Sequence, residues 1–131
     1  MRNFYDSGRN ILLTRFCGVL NEQNLQTLND AVAEFVQQHG KCHGLLDYTY
    51  VTSIDLSAFW VVQRAEKPSV VQGMTRVFVA PSDLNYAWCR MFQITQDLKH
   101  DGDKPYVVRT MQEAYDILGI DTESFTPLED L

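Results

Sequence analysis

The chain has 131 residues, of which 45% are hydrophobic and 21% charged, and these proportions are typical of one soluble globular domain. They exclude a disordered chain, a collagen-like fibre and a disulfide-stapled miniprotein. The formal net charge of −6 leaves no basic surface for nucleic acid, and it argues against docking on an anionic membrane.

The ends and the cysteines of the chain suggest its compartment. The N-terminal residues are polar, so we expect no signal peptide, and no apolar run is long enough for membrane insertion. Cys17, Cys42 and Cys89 lack paired spacing and are expected to be reduced thiols in a cytoplasmic protein. We expect a single domain over residues 1–120, followed by an acidic C-terminal tail over residues 121–131.

The first half of the chain begins with two strand-like segments, residues 3–6 and 10–17, which a polar turn joins into a hairpin. Gly18 is expected to end the second strand. Asn21 is a good N-cap for a helix, and Gly40 is expected to stop that helix. Residues 44–48 predict a short apolar strand that ends in polar residues.

The second half continues the alternation of helix and strand. Asp55 is expected to cap a helix that ends near Lys67, and residues 75–80 predict a strand. Ser82 is expected to cap a long amphipathic helix, and residues 105–109 predict the last strand. The sequence from Thr110 to Glu113 is a capping box, which predicts a final helix that reaches Gly119.

This order predicts an α/β fold with a mixed, mostly parallel sheet of about five strands and four helices. The first strand should be an antiparallel edge. In such sheets functional groups collect beyond the carboxyl ends of the strands. The segments 47–57, 80–86 and 109–113 are therefore the candidates for a site.

Residues 47–58 carry four Ser and Thr hydroxyls and two carboxylates. Here the chain resembles the STAS domain family, which includes anti-sigma-factor antagonists and the cytosolic domains of sulphate transporters. In that family a strand ends in Asp or Asn, and Asp-Ser-Ser-Gly then opens a helix. Residues 45–47, Leu-Leu-Asp, are similar to that strand end, and residues 55–58, Asp-Leu-Ser-Ala, are similar to the motif. The likeness covers most of residues 9–119.

The resemblance implies a non-catalytic regulatory or protein-interaction module with a STAS-like fold. In the bacterial antagonists a partner kinase phosphorylates the second Ser of the motif, so Ser57 is the candidate phosphorylation site. Asp47, Ser53 and Asp55 are the candidate switch-loop residues around it. A helix N-terminus would favour a phosphate on Ser57, and Asp55 would repel it. Alternatively, Ser57 is a plain first-turn hydroxyl and Asp55 only a cap.

A second feature is a set of large apolar side chains on the second and third predicted helices. They could belong to the core, to the face of a homodimer, or to a pocket for a small apolar ligand. STAS-like folds also resemble the lipid-binding domain of the Sec14 type, so a carrier of a small apolar ligand or lipid is the alternative function. The candidate residues are Trp60, Trp88, Met91 and Phe92.

No cofactor, metal site or catalytic centre is expected. His39, Cys42 and His43 lack a fourth zinc ligand, and the aspartates near residue 100 lack the spacing of a calcium loop. The sequence contains no P-loop, no zinc-protease motif and no serine-hydrolase elbow. The partners expected are a kinase or another regulatory protein, with a homodimer and a small apolar ligand as further possibilities.

Overall fold

The computed structural model describes residues 1–121 and 124–128, and it confirms a mixed α/β fold with four helices. The sheet has six strands, one more than the sequence predicts, in the order β5-β4-β3-β2-β1-β6. The elements are β1 (Arg2–Asp6), β2 (Ile11–Asn21), α1 (Glu22–His39), β3 (His43–Asp55), α2 (Ala58–Glu66), β4 (Arg76–Val79), α3 (Asp83–Lys99), β5 (Tyr106–Val108), α4 (Met111–Leu118) and β6 (Thr126–Leu128).

The sheet has a parallel and an antiparallel part. Strands β2, β3, β4 and β5 are parallel neighbours, whereas β1 runs antiparallel to both β2 and β6. The predicted hairpin joins β1 to β2, and Asn10 ends its turn with a φ of 59°. Asparagine tolerates this left-handed conformation better than most residues, and the Tyr5 hydroxyl donates to Asn10 Oδ1 at 2.7 Å.

Three of the helix starts are those that the sequence predicts. Asn21 caps α1 by accepting from the Asn24 N–H, and Ser82 caps α3 by accepting from the Asn85 N–H. Thr110 caps α4 by accepting from the N–H of Glu113. These caps satisfy backbone donors that a helix cannot satisfy by itself, so they fix where each helix begins.

Two strands run further than expected. Strand β2 continues through Gly18 to Asn21, and β3 continues through the segment expected to be a loop. Residues 48–54 are rich in Tyr, Thr, Val and Ile, which favour extended backbone. Because β1 pairs only with residues 11–15 and β4 only with residues 44–47, residues 16–21 and 48–55 form a two-stranded parallel ribbon beyond the main sheet.

The long helix α3 buries a different face from the one that its apolar pattern suggests. Its buried side chains include three amides, and each amide has a hydrogen-bond partner elsewhere in the fold. Asn85 donates to the Tyr48 carbonyl, Gln93 donates to the Pro105 carbonyl, and Gln96 accepts from Arg76. The burial of polar groups is tolerated because these partners replace water.

Strand β6 comes from the segment expected to be an acidic tail. Residues 126–128 pair with β1, and Phe125 packs against the core cluster to which β2, β3, β4, β5 and α4 contribute. Asp121 lies after α4, whereas the other three acidic residues of the expected tail, Glu123, Glu129 and Asp130, lie outside the described residues. The described part of this segment therefore extends the sheet.

Replacing Ser124 by alanine is expected to weaken this attachment through Asp6. Burial raises the pKa of the Asp6 carboxyl, but hydrogen bonds from Ser124 and from Arg9 outweigh burial and hold the pKa below 3.8. A lowered carboxyl pKa stabilises the fold above the pKa of the unfolded chain, and this stabilisation is lost as the pH falls through the folded-state pKa. Ser124→Ala should therefore raise the Asp6 pKa and cost about 1 kcal/mol at neutral pH.

The measurements are an NMR titration of the Asp6 carboxyl and urea unfolding of both proteins at neutral and acidic pH. The stability difference between them should shrink once Asp6 is protonated. Asp6→Asn is the control, because it removes the titrating group itself. An Asp6 pKa that Ser124→Ala leaves unchanged would contradict the prediction.

Candidate functional site

Ser57 is the N-cap of α2 and is exposed to solvent. Its Oγ accepts a hydrogen bond from the Trp60 N–H at 3.1 Å, and its carbonyl accepts from the Val61 N–H at 3.2 Å. Asp55, the expected cap, is instead the last residue of β3. Ser57 caps the helix in place of Asp55 because β3 remains paired as far as Asp55, and Ser57 is the next residue whose side chain can cap a helix.

Two helices begin at the far end of the ribbon, which we call the tip. Asp55 pairs in register with Asn21, the cap of α1, and Glu22 lies in the first turn of that helix. Two residues beyond Ser57, the Phe59 side chain is 71% exposed. The tip therefore combines an exposed hydroxyl at a helix start, an exposed aromatic ring and two exposed carboxylates, those of Glu22 and Asp55.

The other two residues expected in a switch loop lie along β3, away from Ser57. Asp47 is 2% exposed, accepts from Arg15 Nε at 3.1 Å, and accepts from both the N–H and the hydroxyl of Thr49. The eight residue-to-residue steps from Asp47 to Asp55 span at most roughly 26 Å of strand. Ser53 is exposed within the ribbon, where it pairs with Val19. The structure thus places only Asp55 beside Ser57.

Three of the four candidate pocket residues meet at one cavity. Trp60, Trp88 and Phe92 line a cavity of about 100 Å³ between α2, α3 and the sheet. A second cavity of about 100 Å³ lies beside it towards β4. Six residues line both cavities, which are therefore adjacent: Leu28, Asn29, Leu46, Arg64, Phe78 and Phe92.

Met91, the fourth candidate, lines neither cavity and instead belongs to an outward row on α3. Successive members of this row are separated by three or four residues, which places them on one face of the helix. The sequence contained this spacing, but we expected Met91 to share one role with the two tryptophans. The row consists of Leu84, Ala87, Met91, Ile94 and Leu98, all exposed except the half-buried Met91.

The two buried cysteines, Cys42 and Cys89, are poor nucleophiles at neutral pH. Burial raises the pKa of Cys42 to about 11 and that of Cys89 to about 12, so both remain thiols. Within residues 1–121 and 124–128 no three His, Cys, Asp or Glu side chains are grouped as metal ligands would be. No helix in these same ranges has the length and apolar character needed to cross a membrane.

No protein-family model matches the chain, and no curated protein matches it significantly. Among solved structures, it is similar to the anti-sigma factor antagonist SpoIIAA in its unphosphorylated form. The two chains are 16% identical, the TM-score is 0.56, and the match covers 91% of this chain and 98% of that chain. The chain therefore has a STAS-like fold, as SpoIIAA does.

Proposed function

We propose that the protein is a non-catalytic cytoplasmic regulatory module that binds another protein at the tip, and that phosphorylation of Ser57 breaks this contact. The observation that carries the proposal is the exposed Ser57 hydroxyl two residues from the 71% exposed ring of Phe59. Aromatic side chains such as Phe are enriched in protein–protein interfaces relative to the rest of the surface. The chain shares its fold with the anti-sigma factor antagonist SpoIIAA, whose matched structure is that of the unphosphorylated form. This similarity supports the same proposal.

The position of Ser57 at a helix N-terminus suits reversible phosphorylation. A phosphate adds about −1.5 to −2 charges, and a helix N-terminus stabilises an anion by about 0.3–1 kcal/mol, so the fold should tolerate the modification. A partner that buries Phe59 would also have to remove water from the phosphate beside it. The exposed carboxylate of Asp55 adds like charge to the same surface. The unmodified tip is therefore the binding form.

The test compares Ser57→Asp with Ser57→Ala. Asp is as good an N-cap as Ser, so Ser57→Asp should retain the stability of α2, whereas Ser57→Ala should lose about 1 kcal/mol. A partner isolated with the unmodified protein should bind Ser57→Ala at nearly full affinity. We expect it to bind Ser57→Asp at least about tenfold more weakly, because a charge at the interface is left unpaired.

Ser82→Asp is the matched control, because Ser82 caps α3 with the same 3.1 Å hydrogen bond that Ser57 makes in α2. This variant adds the same charge at another exposed helix start and should leave partner affinity unchanged. Equal affinity of the wild-type protein and Ser57→Asp for the partner would contradict the switch. Unchanged affinity in Phe59→Ala would contradict the docking surface.

A second function, binding a small apolar ligand, is favoured by one separate observation. The two adjacent cavities are lined mostly by aromatic and aliphatic side chains, as sites for small apolar molecules usually are. Trp60 and Trp88 lie in the wall of one cavity, so an apolar ligand that enters should change their fluorescence.

The homodimer, by contrast, is best placed on the outward row of α3, whose spacing suits pairing with the same row of a second copy.

A further inference from the structure

The two cavities share one cationic boundary. Among the described residues that line them, none carries a carboxylate, and two carry guanidinium groups. Arg64 lines both cavities, and Arg76 lines the second. Arg76 is paired with Asp103, whereas Arg64 has no ion-pair partner among the described residues. An unpaired positive charge is unusual beside apolar space, because removing a charge from water is costly unless it is paired.

Arg64 lies four residues after Trp60, on the same face of α2. It is half-buried, and burial lowers the pKa of its guanidinium. Over residues 1–121 and 124–128 no carboxylate forms an ion pair with it, and no side chain or carbonyl accepts a hydrogen bond from it. Its five N–H donors are therefore available to a ligand.

Arg76 lies at the start of β4 and is buried, with only 6% of the residue exposed to solvent. Its Nη1 donates to Gln96 Oε1 at 2.6 Å, and its Nη2 donates to Asp103 Oδ1 at 3.2 Å. Its Nε has no partner among the described residues. Burial is the main cause that lowers its pKa. Asp103 opposes this effect, and the charge of Arg64 adds to it.

We propose that the two adjacent cavities bind one small amphiphilic carboxylate, with its apolar part among the aromatic side chains and its carboxylate at Arg64 and Arg76. The proposal rests on the second proposed function, ligand binding, and is independent of the Ser57 switch. A carboxylate fits because a guanidinium can bind it through two parallel hydrogen bonds, and because its charge offsets the repulsion between the two arginines.

The size of the cavities limits the ligand to one short chain or one ring. Each cavity is about 100 Å³, and an apolar cavity of roughly 150 Å³ is known to hold benzene. Two adjoining spaces of this size suit a medium-chain or aromatic acid. A two-chain phospholipid is far too large for them.

The test compares octanoate with 1-octanol, which has a chain of the same length and no charge. Binding is measured by calorimetry and by the fluorescence of Trp60 and Trp88, for the wild-type protein and for Arg64→Gln. We expect octanoate to bind the wild-type protein at least about tenfold more tightly than octanol, as a charge-assisted hydrogen bond allows. In Arg64→Gln that preference should disappear, while octanol affinity stays the same.

Lys99→Gln is the matched control, because it also removes one positive charge but from a residue that lines neither cavity. It should retain the preference for octanoate. Equal binding of both probes to the wild-type protein would overturn the carboxylate inference and leave the apolar-ligand function standing. If neither probe binds, the carboxylate inference and the apolar-ligand function are both wrong. If Arg64→Gln loses both probes equally, Arg64 shapes the cavity wall and does not bind the acid group.

Discussion

Replacing Asp47 by alanine is expected to destabilise the fold by about 3 kcal/mol, which is the effect of breaking a buried charged network. The Asp47 carboxylate is 2% exposed and accepts hydrogen bonds from Arg15 and from two donors of Thr49. Without it, those donors lose their acceptor at the point where the sheet narrows into the ribbon. Asp47 is thus an anchor of the fold, although its sequence position suggested a switch residue.

Urea unfolding of Asp47→Ala, Asp47→Asn and Asp55→Ala tests this assignment. Asp47→Asn should lie between the wild-type protein and Asp47→Ala, because the amide oxygen can still accept from Thr49 but carries no charge for Arg15. Asp55→Ala is the control at an exposed carboxylate, where surface substitutions usually change stability by less than about 0.5 kcal/mol. If Asp47→Ala unfolds like the wild-type protein, the carboxylate is free for a functional role.

Local signals in the sequence were enough to predict most of the fold. Asn21, Ser82 and Thr110 cap their helices by contacts to residues three positions away. A helix start can therefore be predicted from a few neighbouring residues of the sequence. The alternation of strands and helices then restricts the topology, because parallel strands need crossovers. The mixed, mostly parallel α/β sheet follows from these two levels of information, whereas the expectation of a STAS-like fold came from the resemblance of residues 45–47 and 55–58 to that family.

The ribbon and β6 were missed because their partners are distant in the chain. Residues 48–55 form a strand by pairing with residues 17–21, and two register shifts interrupt the alternation that would reveal a strand. Strand β6 contains Pro127 and follows an acidic stretch, and it exists as a strand only where β1 offers its free edge. Pairing of this kind is decided by tertiary structure.

The candidate site was predicted in part. Trp60, Trp88 and Phe92 do converge, as their spacing on two helices allowed. The position of Arg64 was not recognised, although it lies four residues after Trp60 and therefore on the same helix face. The role of Arg76 carried no local signal, because Gln96 and Asp103 reach it only in the folded chain.

The other large effect is expected at Arg76, where replacement by alanine should cost about 3–5 kcal/mol. The change removes a guanidinium that bonds Gln96, itself 1% exposed, and that pairs with Asp103. Gln96 Oε1 would then be buried without a donor. Arg76→Lys should be intermediate in stability, because one ammonium cannot reproduce the fixed geometry of a guanidinium that binds both partners.

The matched variant is Arg64→Ala, which removes the same chemical group from the wall of the second cavity, which both arginines line. It should change the free energy of unfolding by less than about 1 kcal/mol, because a half-exposed arginine without an ion pair contributes mainly through packing of its stem. Urea unfolding followed by tryptophan fluorescence measures both variants. A large loss for Arg76→Ala with a small one for Arg64→Ala would show that Arg76 stabilises the fold in addition to facing the cavity, and that Arg64 is free of a structural role and available to a ligand. Equal losses would make Arg64 a structural residue, and the proposed carboxylate site would lose its available cation.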